Sequence, residues 1–285
     1  MSLALGAFAV ALIAWWFATG AVIVAARRNV GHPLYLLVPA AALAVAGLVL
    51  ALVTAGSSSV VAVYGAFFAA LAIWAFHEIT FLTGHVAGPR RTALPAGVTG
   101  AARFRLAYAA VRDHEFVLFA TGVVLIALLA GAVNPFAWAI YALMWVMRLL
   151  TKFNVFLGAP NAVSEILPER MAYLTSYFRT DRVHPFFIVS VTAITCLFTI
   201  CVYMAATADA PGMVTGWSLM ATFAFLGLIE HLFLVLPVRD AALWGWATGR
   251  SGGGFVKRQA QVAPEPETAS NKDVRADKRA APVMS

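Results

Sequence analysis

Charged residues are scarce in this sequence. Only 12% of the 285 residues are Asp, Glu, Lys or Arg, whereas 62% are hydrophobic. A soluble globular domain carries roughly 25% charged residues, so the composition excludes an ordinary soluble fold and predicts a polytopic membrane protein. The formal charge of +7 does not indicate a nucleic-acid partner, because the basic residues border apolar stretches, where they set membrane orientation.

Cysteine is nearly absent as well. The two cysteines, Cys196 and Cys201, lie five residues apart in one apolar stretch. On a helix, side chains at this spacing point roughly 140° away from each other. The spacing therefore suits neither a disulfide nor a shared metal ion, and we expect both side chains to serve packing.

Apolar stretches long enough to cross a bilayer, which takes about 20 helical residues, occur seven times. The sequence therefore predicts an all-α polytopic membrane helix bundle of about seven transmembrane helices. The first stretch has no basic n-region and exceeds the apolar core of about 7–15 residues in a cleavable signal peptide, so we expect an uncleaved anchor. The stretches are Ser2–Ala26, Leu34–Ala55, Val60–Leu82, Glu115–Val133, Pro135–Leu157, Pro185–Ala206 and Met213–Pro237.

Alternate connections between these stretches lack Lys and Arg. Connections 56–59, 131–134 and 207–212 have Asp209 as their only charge. By the positive-inside rule, this alternation predicts an N-terminus outside and a C-terminus in the cytoplasm. The basic residues on the predicted inner side are Arg27, Arg28, Arg90, Arg91, Arg103, Arg105, Arg112, Lys152, Arg170, Arg179, Arg182, Arg239, Arg250, Lys257 and Arg258.

Two of the predicted cytoplasmic connections, 101–112 and 167–178, carry apolar residues at helical spacing. Apolar stripes with basic flanks are typical of short interfacial helices, and loops that fold against the bundle fit the pattern equally. From Gly249 onward the chain is rich in Ala, Pro and charged residues and has too little apolar surface for a core. We therefore predict a transmembrane domain over 1–248 and a disordered cytoplasmic tail over 249–285.

Polar residues concentrate at the predicted cytoplasmic ends of the spans. Ionisable groups in a membrane helix need a partner or a function. Glu78 and His85 are seven residues apart and would share one face of a continuing helix. The fifth span carries Tyr141, Trp145, Arg148 and Lys152 on one polar-aromatic stripe. Three adjacent pairs stand out in this layer: His77-Glu78, His114-Glu115 and Glu230-His231.

Three interpretations of this layer remain open. Imidazole and carboxylate together suit iron, zinc or manganese, although adjacent residues diverge by about 100° on a helix and the histidine boxes of membrane desaturases are absent. The layer can instead be structural, with its carboxylates neutralising Arg148, Lys152 and the inner arginines. The candidate metal ligands are His77, Glu78, His114, Glu115, Glu230 and His231, with Glu165 and His85 as further candidates.

The third interpretation is a bound tetrapyrrole. A neutral histidine can be the axial ligand of haem iron or of the magnesium of a bacteriochlorophyll. Aromatic residues near the layer, among them Trp74 and Phe81, would suit a flat macrocycle. The candidate pigment ligands are His77, His85, His114 and His231.

Several motifs taken together resemble one family, the photosynthetic complex assembly proteins encoded in the puh operon of purple phototrophic bacteria (PuhE type). The resemblance covers roughly residues 1–246. The motifs are His77-Glu78-x6-His85, Asp113-His114-Glu115-Phe116, Asn154-Val155-Phe156-Leu157-Gly158-x-Pro160-Asn161, Leu167-Pro168-x4-Tyr173-x-x-Ser176-Tyr177-Phe178 and Glu230-His231-x4-Leu236-Pro237.

The resemblance implies a multi-pass protein of the bacterial inner or intracytoplasmic membrane. It implies a role in assembling the reaction centre and light-harvesting complex or in adjusting bacteriochlorophyll supply. Subunits of those complexes and other assembly factors are then the expected partners, beside the lipid bilayer. The resemblance supplies no catalytic residues.

Two functions are compatible with these features. The first is a non-enzymatic assembly factor that binds complex subunits or bacteriochlorophyll. The second is a metal-dependent membrane oxidoreductase of tetrapyrrole or carotenoid metabolism that uses the His/Glu layer. We favour the first, because the spacing of the candidate metal ligands is irregular and the resemblance points to assembly.

Overall fold

Helices make up all of the regular secondary structure that a computed structural model describes in residues 2–27, 32–162, 167–238 and 243–248. This confirms the predicted all-α fold class. Arg28, Glu165, Arg239 and the predicted tail 249–285 lie outside the described residues. The helices are α1 Ser2–Arg27, α2 Leu34–Thr54, α3 Val60–Leu82, α4 Gly100–Leu129, α5 Phe136–Leu157, a 3-10 helix Glu169–Tyr177, α6 Phe186–Thr207, α7 Pro211–Phe233 and α8 Gly245–Thr248.

Six of the described helices, α1, α2, α3, α5, α6 and α7, are long and apolar enough to cross a membrane by length and composition. The remaining long helix, α4, has 30 residues. Its uninterrupted apolar part begins only at Phe116, because Arg112, Asp113 and Glu115 precede it. With α4 included, the bundle has the predicted number of about seven spans.

The centre of the bundle is formed by α3, α5 and α7, which contact one another. Around them, α2 packs on α3, α6 packs on α7, α1 contacts both α3 and α7, and α4 packs on α5. Small residues allow the closest approaches, as is usual between membrane helices. At Gly47 of α2, for example, a Cβ atom would lie 2.9 Å from the Ala69 carbonyl oxygen of α3.

Gly216 is where α7 passes the start of α5. A Cβ atom at this position would lie 2.1 Å from ring carbons of Phe136, and that ring is fully buried. We therefore expect Gly216→Ala to lower the free energy of unfolding by about 1–3 kcal/mol, the usual cost of overpacking. The matched control is Gly56→Ala, where the added Cβ meets no described atom within 4 Å. Equal thermal midpoints of the two variants in one detergent would contradict this assignment.

Residues 101–112 do not form the separate interfacial helix that the sequence predicted. They form the first turns of α4 instead. The loop that follows α3 packs directly on this part of α4. The Arg90 N–H donates to the Ala109 carbonyl at 3.2 Å, and the His114 N–H donates to the Ala87 carbonyl at 2.9 Å. These bonds fix the extension of α4 to the end of the bundle.

Segment 167–178 contains the 3-10 helix, which confirms the prediction of a short helix here. Its apolar residues Met171, Leu174 and Tyr177 are buried in a cluster with Phe81 and Ala110. The segment is therefore a short helix, as the first interpretation predicted, and it folds against the bundle, as the second predicted.

The end of α3 separates His85 from the helix that carries Glu78. The helix ends at Leu82, and Gly84 follows with a φ of +76°. The His85 N–H then donates back to the Thr80 carbonyl at 2.9 Å, and its side chain is exposed. The expectation that Glu78 and His85 share one helix face is therefore wrong.

Candidate functional site

A cavity of about 930 Å³ lies among α1, α3, α4, α5 and α7. It is located at the end of the bundle that the charge pattern assigns to the cytoplasm. Its wall is mostly apolar and rich in aromatic rings, which include Trp15, Trp74, Phe81 and Trp145. Cavities of roughly 300–1,000 Å³ with such walls are typical of small-molecule sites.

Residues of the 3-10 helix form part of this wall, including Leu174 and Tyr177. Arg103 of α4 holds this segment in place. Its Nη2 donates to the carbonyl oxygens of Tyr177 at 2.8 Å and Phe156 at 2.9 Å. Its guanidinium carbon also lies 3.9 Å from the centre of the Phe156 ring, an arrangement that adds a cation–π attraction.

The two members of each His/Glu pair in the polar layer point in different directions from the helix that carries them. All three carboxylates belong to the wall of the cavity, whereas none of the neighbouring histidines is among the described wall residues. Adjacent residues on a helix point about 100° apart, so one member of each pair faces the cavity and the other faces packed helices. The wall carboxylates are Glu78, Glu115 and Glu230, and the histidines are His77, His114 and His231.

Two of the wall carboxylates are paired with cations of α5. Arg148 Nη2 lies 3.3 Å from Glu78 Oε2, and Lys152 Nζ contacts Glu115 Oε1. Arg148 and Lys152 are four residues apart and so lie on one face of the helix. The two carboxylates thus neutralise cations of the polar-aromatic stripe, which is the pairing that the structural interpretation predicted.

The third wall carboxylate, Glu230, accepts a hydrogen bond from the indole Nε1 of Trp15 at 3.0 Å. This contact joins α1 to α7 across 215 residues of sequence. The sequence gives no local signal for Trp15, because a tryptophan in an apolar span is ordinarily a packing or lipid-facing residue. Its place in the site follows only from the packing of α1 on α7.

Four polar atoms of wall residues are buried and have no hydrogen-bond partner among the described residues. They comprise two carboxylate oxygens and two N–H groups. Each of these atoms is covered by its neighbours, so none of them is presented to the cavity in this arrangement of the side chains. The atoms are Glu78 Oε1, Glu115 Oε2, Trp145 Nε1 and Arg148 Nε.

The histidines of the layer are packed between helices. His114 is 1% exposed and its ring stacks on Phe81 with 4.3 Å between the ring centres. A ring nitrogen of His231 lies 2.8 Å from the Gly227 carbonyl oxygen. The His77 ring lies against Tyr141, with 6.1 Å between the ring centres.

The candidate metal ligands are not brought together. In the part of the chain that the structure describes, no three His, Cys, Asp or Glu side chains form a group that could hold a metal ion. The six proposed ligands instead make separate contacts: two ion pairs, a hydrogen bond from Trp15 to Glu230, ring contacts of His77 and His114, and a backbone contact of His231. The irregular spacing of the pairs in the sequence already indicated this difficulty.

A histidine-ligated tetrapyrrole does not fit the cavity either. None of the four predicted axial ligands is among the described residues of its wall. His85 is exposed beyond the end of α3, and the three buried histidines face other helices. We therefore derive no function through a pigment that a histidine would ligate in this cavity.

These features define a polytopic membrane helix bundle with a large cavity, whose wall combines aromatic rings with paired charges. The chain belongs to the family described as "Protein of unknown function (DUF3623)", which matches residues 1–252. It is also similar to a protein of Rhodobacter capsulatus named "Uncharacterized 30.4 kDa protein in puhA 5'region". The two are 32% identical over 239 residues, which cover 82% of this chain and 87% of the relative. No solved structure matches the chain.

The relative's name confirms the resemblance to a puh-operon protein that the motif set indicated. The multi-pass membrane architecture that the resemblance implied is likewise confirmed by the helices. The family match spans all of the described residues and so includes the wall of the cavity.

Proposed function

We propose that this protein is an integral factor of the bacterial inner membrane that assists assembly of the photosynthetic reaction centre and light-harvesting complex. In this role its cavity holds an apolar component of the complex, or of its pigment supply, between synthesis and insertion. The name of the relative, which refers to the puhA 5' region, supports the link to photosynthesis.

The observation that carries the proposal is the cavity itself. A mostly apolar space of about 930 Å³ that opens among membrane helices suits a hydrophobic molecule better than a water-soluble substrate. Glu78 and Glu115 act as counter-ions of Arg148 and Lys152. The arrangement therefore supports a holding function over the alternative of a metal-dependent oxidoreductase.

The test is complementation of a deletion strain of a phototrophic bacterium that carries this gene. We expect the deletion to lower the absorbance of assembled reaction-centre and light-harvesting complexes in isolated membranes, while pigment precursors stay unchanged in kind. Ala75→Trp fills the cavity from α3 and should fail to restore the absorbance at a normal protein level. The matched control, Ala42→Trp, adds the same side chain on an exposed position of α2 and should restore it.

Three outcomes would contradict the proposal. A deletion strain with normal complexes would remove the assembly role. A new precursor that accumulates would instead indicate an enzyme. Full complementation by Ala75→Trp would show that the cavity is not the functional site.

A further inference from the structure

We infer that the cavity opens sideways into the bilayer, through a mouth between α1 and α4, and takes up the hydrocarbon chain of a membrane-resident molecule by this route. This inference rests on the proposed function, because it names the entry route and the class of occupant for the same cavity. Three observations support it: a covered inner end, a packed outer end and an exposed aromatic rim on one side.

The inner end of the cavity is covered by chain segments that hydrogen-bond to one another. Leu174 and Tyr177 of the 3-10 helix form this part of the wall, and both are buried. The Tyr177 hydroxyl accepts a hydrogen bond from Arg90 Nε at 2.6 Å and donates one to the Thr92 carbonyl at 3.0 Å. These bonds join the 3-10 helix to the loop after α3, and those of Arg103 join it to α4. Among the described residues, the cytoplasmic side of the cavity is therefore covered by protein.

Toward the membrane centre the cavity ends on packed apolar side chains. In the predicted topology α3, α5 and α7 all run inward, so residues earlier in these helices lie deeper in the membrane than the polar layer. Leu71, Met144 and Phe223, which we call the apolar floor, line the cavity one or two turns before the charged residues of their helices. One turn further back, each helix contributes a fully buried side chain to the main core, namely Phe67, Ile140 and Leu219.

The side between α1 and α4 is different, because wall residues on this side are also exposed. Four aromatic residues of α4 line the cavity, although each of them is between 47% and 67% exposed. Leu12 of α1 lines the same cavity and is 37% exposed. Among the described residues, α1 packs on α3 and α7 and α4 packs on α3 and α5, but α1 and α4 do not pack closely on each other. We define the lateral mouth as Leu12 together with Phe104, Tyr108, Phe116 and Phe119.

The depth of the lateral mouth indicates that it faces hydrocarbon. Phe116 and Phe119 belong to the apolar part of α4, whereas Phe104 and Tyr108 belong to its inner extension. The rim from Phe104 to Phe119 therefore follows α4 for about 22 Å, at about 1.5 Å per residue. An extended hydrocarbon chain can lie along this rim and reach the apolar floor without crossing water.

A hydrocarbon chain also suits the inside of the cavity. An apolar void that stays empty loses dispersion contacts along its lining, and a chain from the bilayer restores them. The volume of about 930 Å³ lies in the range of small-molecule sites. A transmembrane helix of a partner is about 10–12 Å across with its side chains, so it fits this enclosed and irregular space less well than a flexible chain does.

The route is tested by carbene labelling of the full-length protein in lipid nanodiscs, which leave both membrane faces open to water. One probe is a phosphatidylcholine with a diazirine on its acyl chain, and the other is photoleucine, a water-soluble amino acid with the same reactive group. We expect the lipid probe to label the apolar floor, for example at Phe223, which is only 4% exposed. Photoleucine should label the exposed loop at Ala93 but not the apolar floor. Mass spectrometry of the labelled peptides measures both.

A pair of variants on α1 tests the position of the entry. Ala18 lines the cavity on α1, so Ala18→Trp adds a large ring beside the lateral mouth and should remove most of the lipid label from the apolar floor. Ala9→Trp is the matched control, because Ala9 is exposed on the same helix and is not among the described wall residues. The control should keep the label on the floor. In both variants the label at Ile188 of α6, which is 67% exposed, should stay unchanged and so report that the bundle is intact.

Three results would each overturn the inference. Lipid label that is confined to the outer surface would show that no chain enters, and efficient labelling of the floor by photoleucine would show a cavity open to water. Floor label that persists in Ala18→Trp would show that the chain does not enter beside α1. A polypeptide that co-purifies and shields the lateral mouth from the lipid probe would overturn the inference as well, in favour of a docking surface for a partner helix.

The labelling is independent of the complementation test, because the nanodiscs contain no other photosynthetic protein. If the floor is not labelled while Ala75→Trp still fails in cells, lateral uptake is wrong and the assembly role stands. If the floor is labelled as expected but the deletion strain assembles normal complexes, the assembly role is wrong and lateral uptake stands.

Discussion

Lys152→Met is expected to lower the free energy of unfolding by about 3–5 kcal/mol, the typical cost of leaving a buried charge without its partner. Lys152 is the cation that contacts Glu115 on the cavity wall, and their side chains are only 22% and 13% exposed. Methionine keeps the length of the side chain but removes the charge. Glu115 would then lack its counter-ion between apolar helices, and this loss destabilises the folded state.

The double variant Lys152→Met/Glu115→Leu separates the pair from other effects. Replacing both members of a buried ion pair by apolar residues is often neutral, so the double variant should recover most of the lost stability. Denaturant unfolding of the single and double variants in one detergent measures this recovery. A double variant as unstable as Lys152→Met alone would show that the loss has another cause.

A second control uses an exposed ion pair on the same helix as Glu115. Arg112 and Asp113 are in contact at 2.8 Å, but their side chains are 51% and 47% exposed. Exposed pairs contribute only about 0–1 kcal/mol. Arg112→Met should therefore change stability little, and a loss as large as that of Lys152→Met would contradict the role of burial.

The spans could be predicted because each apolar run is long and bounded by polar residues. The bounds of α3, Val60–Leu82, agree with the predicted third stretch. The start of α4 could not be predicted in this way. A basic amphipathic segment has the same periodicity whether it lies at a membrane surface or extends a spanning helix. The contacts that decide between them, such as His114 N–H to the Ala87 carbonyl, join residues distant in sequence.

The polar layer at the cavity also depends on contacts between residues that are distant in sequence. The sequence shows which residues lie at one depth, but not which member of an adjacent pair faces inward. That choice depends on how each helix is rotated by its neighbours, for example where Gly227 meets Met147. The sequence predicted that Arg148 would pair with a carboxylate of the layer, since charged groups inside a membrane usually pair with one another. Its specific geometry follows from the packing of α3 on α5.

The position of His85 was predictable from a signal in the sequence. Glycine shortly after an apolar helical run commonly ends the helix, because it adopts positive φ without strain. Gly84 does so here with a φ of +76°. Weighing this glycine against the seven-residue spacing of Glu78 and His85 would have removed His85 from the candidate ligands.

The second large effect is expected at the opposite end of the bundle, where Asn134→Leu should cost about 3 kcal/mol of stability. Asn134 is 2% exposed and connects three helices. Its Nδ2 donates to the carbonyls of Thr54 at 3.3 Å and Ala62 at 3.1 Å. Its Oδ1 accepts from the Phe136 N–H at 3.2 Å and so satisfies a donor at the start of α5. Leucine fills the space but can make none of these bonds.

Ser57→Ala is the control for Asn134→Leu, since Ser57 lies in the neighbouring loop and hydrogen-bonds only with Ser59 among the described side chains. A change at such an exposed position is usually within about 0.5 kcal/mol. Thermal unfolding in detergent should therefore show a clear drop for Asn134→Leu and none for Ser57→Ala. Equal midpoints for the two variants would mean that other contacts hold α2, α3 and α5 together at this end.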